Sequence, residues 1–200
     1  MTRLGQLDVP DYVACVIRTE AQRQGCPEYL AVGIAGAESG WDPNAVGDNG
    51  RSIGLFQLYL DGGQGSDYRD NPDALKDPKL NARIAIRPIT VAAYAATIAG
   101  YAGERFIREV ARRSGHPGFV ALDDSRLTSI VGYCVQLITD ASGRIVPWPQ
   151  LDLRQCADVP SPPPPLDGWS EGPVPISTDQ KIDAIERHAQ RINELAQQVG

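Results

Sequence analysis

Apolar residues recur every three or four positions over much of the first 140 residues, which is the period of an amphipathic helix. One helix is predicted over about residues 10–24, closed by Gly25. A second helix begins at Pro27, a residue that suits the first turn of a helix, and runs to Glu38. The N-terminal part of the chain is therefore expected to begin with a pair of helices.

Two further helical regions follow. Residues 81–113 are rich in alanine and isoleucine, and we expect this region to be divided near Pro88 and again near Gly100 or Gly103. Another helix, or a pair of helices, is predicted between residues 123 and 139.

Strand-like alternation of apolar and polar residues is weak, and only residues 53–60 allow a short strand. We therefore predict an all-α or α-dominated fold, α+β at most. With 200 residues, 42% hydrophobic and 22% charged, the chain forms one ordinary globular domain or a smaller domain with an appendage. This composition excludes a wholly disordered polypeptide.

Proline is concentrated towards the C-terminus, where nine of the sixteen prolines lie within residues 147–175. The run of four at 162–165 fixes φ and removes backbone donors, which favours an extended polyproline II spacer. We therefore predict three parts: a globular domain at 1–157, a proline-rich linker at 158–176 and a helix at 177–200.

The last segment has the pattern of a short coiled-coil helix. Ser177 and Gln180 have the spacing of a capping box. Behind them, apolar residues recur at alternating spacings of three and four: Ile182, Ile185, Ala189, Ile192, Ala196 and Val199. This a/d seam predicts a homo-oligomer or docking onto another protein through residues 177–200. The alternative is a helix that folds back onto its own domain.

The net charge of −6 and the pI of about 4.9 argue against nucleic-acid binding through bulk charge. No stretch approaches the roughly 20 apolar residues that span a bilayer, so no membrane insertion is expected. The N-terminus lacks an apolar core of the kind that export signals have. Residues 1–157 hold 16 basic and 18 acidic residues, against 3 and 7 in 158–200. The acidity therefore belongs mostly to the C-terminal part.

Four cysteines, Cys15, Cys26, Cys134 and Cys156, have neither CxxC spacing nor a nearby pair of histidines. A zinc site is therefore not expected, and we predict neither a metal nor another cofactor. Buried free thiols are the favoured interpretation, because free cysteine behaves as a small hydrophobic residue. In an oxidising setting the same four residues would allow two disulfides.

Glu38 ends a helix whose residues 29–37 carry no charge, so most of that helix is expected to be buried. Ala31, Ile34 and Ala35 stand seven, four and three positions before it and share its face. Burial disfavours the charged form of a carboxyl group, and a carboxyl that keeps its proton is what general-acid catalysis requires. An ordinary helix-capping or ion-paired glutamate is the alternative.

The loop after Glu38 is punctuated by glycines and ends in Phe56 and Gln57. Glycines let the backbone approach a ligand closely. Phe56 offers an apolar surface and Gln57 an amide with both a donor and an acceptor, a combination suited to the hydroxyl and N-acetyl groups of sugars.

The sequence ESGWDPNAV at residues 38–46, followed by GRSIGLFQ at 50–57, resembles the soluble lytic transglycosylase family of the goose-type lysozyme-like group. The segment NPDALKDPKLN at 71–81 is similar to the stretch that leads into the next long helix of that family. The resemblance extends over about residues 10–113. It implies a lysozyme-like domain that cleaves the β-1,4 bond between N-acetylmuramic acid and N-acetylglucosamine in peptidoglycan.

By this resemblance, Glu38 is the single acid/base. A second carboxylate, as in two-carboxylate glycosidases, would come from Asp42 or Asp48, and both also suit turns. Gln57 is the strongest candidate for binding substrate, followed by Ser52 and Phe56, and Asp48 is expected to border the cleft.

The chain departs from the family pattern in two places. Residues 58–70 form a glycine-rich insertion, which either shapes or covers the cleft or is ordinary loop variation. The Ala-Tyr-Asn-Ala-Gly motif, whose tyrosine helps to position substrate in the family, is not present as such. Tyr94, Tyr101 and Tyr133 are the possible replacements.

The three predicted parts together suggest a bacteriophage virion component. An enzyme that cleaves the cell wall, with no export signal, a proline spacer and an associating helix, would be tethered to a phage tail or internal virion assembly during genome entry. A hydrolytic muramidase or free endolysin is one alternative. A non-catalytic structural tail or adaptor protein that keeps the fold is another.

Overall fold

The computed structural model of the chain describes residues 1–114, 124–146 and 156. The chain divides into two units, residues 1–161 and 162–200. The predicted linker at 158–176 and helix at 177–200 lie outside the described residues. They stay predictions, as does the boundary at residue 157.

Helices dominate the described residues. There are five: α1 (Asp11–Gln24), α2 (Glu28–Ser39), α3 (Pro78–Ile98), α4 (Gly103–Ser114) and α5 (Asp124–Ile138). The prediction of an α-dominated fold, α+β at most, is confirmed, and the arrangement is a helix-rich lysozyme-like α+β fold. Within the described residues, no helix combines the length and the apolar character that crossing a bilayer would require.

Short antiparallel strands accompany the helices. The hairpin of β1 (Thr2–Leu4) and β2 (Leu7–Val9) was not predicted. The second sheet has the order β3 (Val46–Gly47), β4 (Ser52–Ile53) and β5 (Leu58–Tyr59), in which Ile53 pairs with Val46 on one side and Leu58 on the other. The single strand allowed at residues 53–60 is therefore two strands joined by a turn, all within the segment that follows Glu38.

The predicted division near Pro88 is wrong, because α3 continues through this proline. The second predicted division, near Gly100 or Gly103, is confirmed, because α3 ends at Ile98 and α4 begins at Gly103. Pro88 is half-buried and lies next to buried residues that include Ile86 and Ile89. Burial of the apolar face of α3 on both sides of the proline offsets the hydrogen bond that proline cannot make.

Helices α2 and α5 pack antiparallel and at close range. A Cβ atom on Gly33 of α2 would lie 3.1 Å from the backbone of Cys134 on α5 and closer still to its Sγ atom, so only glycine fits at this crossing. The close packing places the N-terminal end of α5 beside the C-terminal end of α2.

Cys15 on α1 and Cys156 form a disulfide, with their Cα atoms 5.6 Å apart. The favoured interpretation, free thiols at all four cysteines, is therefore wrong for this pair, whose members lie 141 residues apart in sequence. Cys26 and Cys134 are free and buried. Burial raises the pKa of the Cys26 thiol to about 11 and raises the pKa of Cys134 further still.

Candidate active site

Glu38 occupies the last turn of α2. The helix ends at Gly40, whose φ of +63° is the left-handed conformation that closes helices, and the chain then turns towards the sheet. Only 8% of the Glu38 side chain is exposed. The predicted burial of this side chain is thus observed, although Gly40, two residues later, is exposed.

Arg126, near the start of α5, is the charged partner of Glu38. Its Nε donates to Glu38 Oε1 at 3.2 Å, and its Nη2 donates to Oε2 in a second, shorter contact. The guanidinium therefore holds both oxygens of the Glu38 carboxyl group through charge-assisted hydrogen bonds. Arg126 was not among the residues predicted from the sequence. It lies 88 positions from Glu38 and outside the motifs, and nothing in the pattern around it points to the pair.

Glu38 lines a pocket between the helices and the second sheet. The polar members of the lining are Glu38, Gln64 and Ser114, and the apolar members are Ile34, Phe56, Leu58, Ala85, Ile89, Ala111 and Ile130. Of the predicted substrate-binding residues, the structure brings Phe56 to this pocket, together with Gln64 from the predicted insertion. The site is therefore a carboxylate at the edge of a mainly apolar concavity, which is the usual character of a small-ligand site.

Asn81 fixes the loop that carries Phe56. Its fully buried side chain accepts a hydrogen bond from Phe56 N at 2.9 Å and donates to the carbonyl oxygens of Ile53 and Leu75 at 2.9 and 2.8 Å. From the end of α2, Ser39 Oγ donates to Leu55 O at 2.8 Å. These contacts hold the loop against both α2 and α3, and the sequence analysis did not assign them.

Gln57 stabilises the same loop from within. Its Nε2 donates to the carbonyl oxygens of Gly54 and Ala45 at 2.9 and 3.2 Å, and its side chain is buried. Its backbone has a φ of +48°, which is uncommon for a residue with a side chain. Gln57 is not among the residues that line the pocket.

Asp48 and Ser52 lie together at one end of the small sheet. Buried Ser52 donates through Oγ to Asp48 Oδ2, while the Asp48 residue itself is exposed and has a φ of +48°. Asp42 accepts a hydrogen bond from Asn44 N at 2.8 Å in a local turn. Neither aspartate lines the pocket beside Glu38.

The three candidate tyrosines lie elsewhere. Tyr94 is 49% exposed on α3. Tyr101 packs beneath the guanidinium of Arg105, which lies 4.6 Å from the ring centroid. Tyr133 contacts Trp41 edge to face, with 5.5 Å between ring centroids. None of the three is among the residues that line the pocket.

Residues 15–110 match the family model described as the Transglycosylase SLT domain. Residues 15–110 therefore form a domain of the soluble lytic transglycosylase family. The SLT domain indicates an enzyme, a peptidoglycan lytic transglycosylase. The predicted family and the predicted substrate class, peptidoglycan, are therefore both confirmed.

The matched region of the SLT domain includes Glu38, the loop with Phe56 and the insertion with Gln64, whereas Arg126 lies beyond it. Comparison with curated proteins and with solved structures found no match. Within the part of the chain that the structure describes, no cluster of three or more histidine, cysteine, aspartate or glutamate side chains is placed to hold a metal ion.

Proposed function

We propose that Glu38 is the single general acid/base of this lytic transglycosylase, acting on the β-1,4 bond between N-acetylmuramic acid and N-acetylglucosamine. The observation that carries the proposal is the nearly complete burial of the Glu38 carboxyl group at the pocket edge. Asp42 and Asp48 do not line that pocket, so no second carboxylate of the sequence motif stands opposite Glu38.

In the proposed reaction, protonated Glu38 gives its proton to the glycosidic oxygen as the bond from that oxygen to the muramoyl C1 breaks. Glu38 is then a carboxylate and takes the proton of the hydroxyl group that attacks C1, which restores the acid. Attack by the C6 hydroxyl of the same muramoyl unit gives a 1,6-anhydro product. Arg126 positions the Glu38 side chain for this cycle, because its guanidinium contacts both Glu38 oxygens.

The other predicted site residues divide into two roles in this proposal. Phe56 supplies apolar surface to the pocket that a small group of the glycan enters. Gln57, Ser52 and Asp48 shape the loop and sheet that border it, through the hydrogen bonds described above. Tyr94 and Tyr101 have no part in the proposal.

The proposal is tested with Glu38→Gln, which keeps the size of the side chain and removes its proton transfer. Purified sacculi should lose turbidity with the wild-type protein and not with this variant. Glu104→Gln, an exposed glutamate on α4, is the matched control and should retain activity. Wild-type rates in a folded Glu38→Gln variant would contradict the proposal.

We further propose that residues 177–200 attach the enzyme to an assembly, a phage tail or internal virion structure, so that it opens the wall locally. The heptad pattern and the proline-rich segment before it support attachment. The Cys15–Cys156 disulfide suits an enzyme that works in the oxidising surroundings of the cell wall.

This attachment is tested in the full chain by placing lysines in the apolar seam, with Ile185→Lys and Ile192→Lys together. We expect the wild-type protein to sediment as an oligomer and the variant as a monomer with unchanged activity on sacculi. Mass spectrometry of phage particles that carry this gene should find the chain. A monomeric wild-type protein absent from the particles would favour a free endolysin.

A further inference from the structure

Gln64 carries a polar atom that the fold leaves unused. Its Oε1 is buried and accepts no hydrogen bond from any described residue. Its Nε2 donates to Ser114 O in a long contact of 3.4 Å. A buried acceptor without a partner destabilises the folded protein. Its presence in a pocket therefore suggests that it binds a group there.

The unused acceptor lies in the pocket of Glu38. Of the polar side chains in the lining, Ser114 already donates to Ala111 O, and both Glu38 oxygens contact Arg126. Among the described residues, all other lining side chains are apolar. An O–H group that enters the pocket therefore meets, among these side chains, one buried acceptor that has no partner, Gln64 Oε1.

The pocket is small. Its volume of about 40 Å³ accommodates a hydroxyl group or a few water molecules rather than a whole sugar ring. The group that Gln64 meets is thus a small one that enters beside Glu38.

The turn that presents Gln64 is held in place on both sides. Gly65 N donates to Tyr59 O at 3.0 Å, and Asp61 forms ion pairs with Arg69 and Arg51 at 3.3 and 3.7 Å. The glycine-rich insertion at 58–70 is therefore an ordered element that brings an amide to the pocket. Preorganised hydrogen-bonding groups of this kind are effective in catalysis because they need little rearrangement during the reaction.

We propose that Gln64 Oε1 accepts a hydrogen bond from a water molecule that attacks the muramoyl C1 atom in competition with the C6 hydroxyl group. This inference rests on the proposed role of Glu38. As the C1–O bond to the leaving sugar breaks, the water oxygen bonds to C1, while one of its protons stays hydrogen-bonded to Gln64 and the other passes to Glu38. The leaving oxygen keeps the proton that Glu38 gave it. The C6 hydroxyl has a single proton, which Glu38 takes, so Gln64 orients water and not this group.

The test is Gln64→Met in the full chain, which keeps the length of the side chain and removes the amide. On soluble glycan strands we expect the rate at which hydrolysed ends form to fall about tenfold, the effect of one hydrogen bond that orients the attacking water. The melting temperature should stay the same or rise, because the variant no longer buries an unpartnered acceptor. Gln136→Met, an exposed residue on α5, is the control for the substitution and should match the wild type.

Mass analysis of the products measures the two competing reactions. Because Gln64 orients the attacking water, the share of 1,6-anhydro ends should rise in Gln64→Met. An unchanged share, with hydrolysed ends formed within about twofold of the wild-type rate, contradicts the inference, since even a modest hydrogen bond changes a rate more than this. A lower melting temperature that accompanies the loss of hydrolysis also contradicts it. Glu38→Gln in the same assay separates the two proposals, because an inactive Glu38→Gln beside a Gln64→Met with wild-type products overturns only the role of Gln64.

Discussion

Glu38 and Arg126 form an ion pair at the pocket, and the two side chains differ in exposure. The Glu38 side chain is 8% exposed, whereas that of Arg126 is 39% exposed. A glycan that enters the site therefore meets the pair from the side of Arg126. The position of the Glu38 carboxyl group is thus coupled to that of Arg126.

Removal of Arg126 should slow the reaction. In Arg126→Met the Glu38 carboxyl group loses the guanidinium that contacts both of its oxygens and fixes its position, so kcat should fall about tenfold or more. The rate is measured on soluble glycan strands. Arg144→Met, at an exposed ion pair with Asp140, is the control and should keep the wild-type rate. A wild-type rate in Arg126→Met would show that the pair does not position Glu38.

The buried thiols make stability fall at alkaline pH. The folded protein keeps the Cys26 proton up to a pKa of about 11, whereas the unfolded chain releases it near pH 9. Between these values the free energy of unfolding should fall by about 1.4 kcal/mol per pH unit for each such thiol. Denaturant titrations at several pH values, with oxygen excluded, measure this slope. Cys26→Ala should reduce the slope, and an equal slope in both proteins would refute the assignment.

At the scale of elements, the motifs after α2 are formed by residues close together in sequence. The residues that contact and stabilise them are distant in sequence. The end of α2 within one residue of Glu38 and the break between α3 and α4 were predicted from the charge-free run and from glycine, since these signals act within a few residues. The continuation of α3 through Pro88 was not predicted, because it depends on packing between helices that are distant in sequence. The Glu38–Arg126 pair and the Cys15–Cys156 disulfide were unpredictable for the same reason.

Asn81 is expected to be the main structural support of the catalytic loop. Asn81→Leu would leave Phe56 N and the carbonyl oxygens of Ile53 and Leu75 without their partner inside the protein. Each such group costs about 1–3 kcal/mol, so we expect the free energy of unfolding to fall by at least about 2 kcal/mol in denaturant titration. Asn44→Ala, at an exposed position of the same loop, should change it little. A stable Asn81→Leu would contradict the proposed anchoring.

At the scale of the whole molecule, the disulfide joins α1 to a residue just before the proline-rich segment. It closes a loop that contains α2, the second sheet and the pocket. A crosslink over so long a loop restricts the unfolded chain strongly. The catalytic unit is thus tied together at the point where the C-terminal part of the chain begins.

Loss of this disulfide should destabilise the catalytic unit. In Cys15→Ser we expect the free energy of unfolding to fall by about 2–4 kcal/mol. Dithiothreitol should lower the melting temperature of the wild type towards that of the variant and leave the variant unchanged. If the reductant shifts both proteins equally, the disulfide is not what stabilises the wild type.

The role of Glu38 as the acid/base of a lytic transglycosylase is tested most directly by the mass of the muropeptides released from purified sacculi. The wild-type protein should release products with 1,6-anhydro ends, each lighter by one water than the hydrolysed form, and folded Glu38→Gln should release none. Release of the same anhydro products by Glu38→Gln would contradict the account.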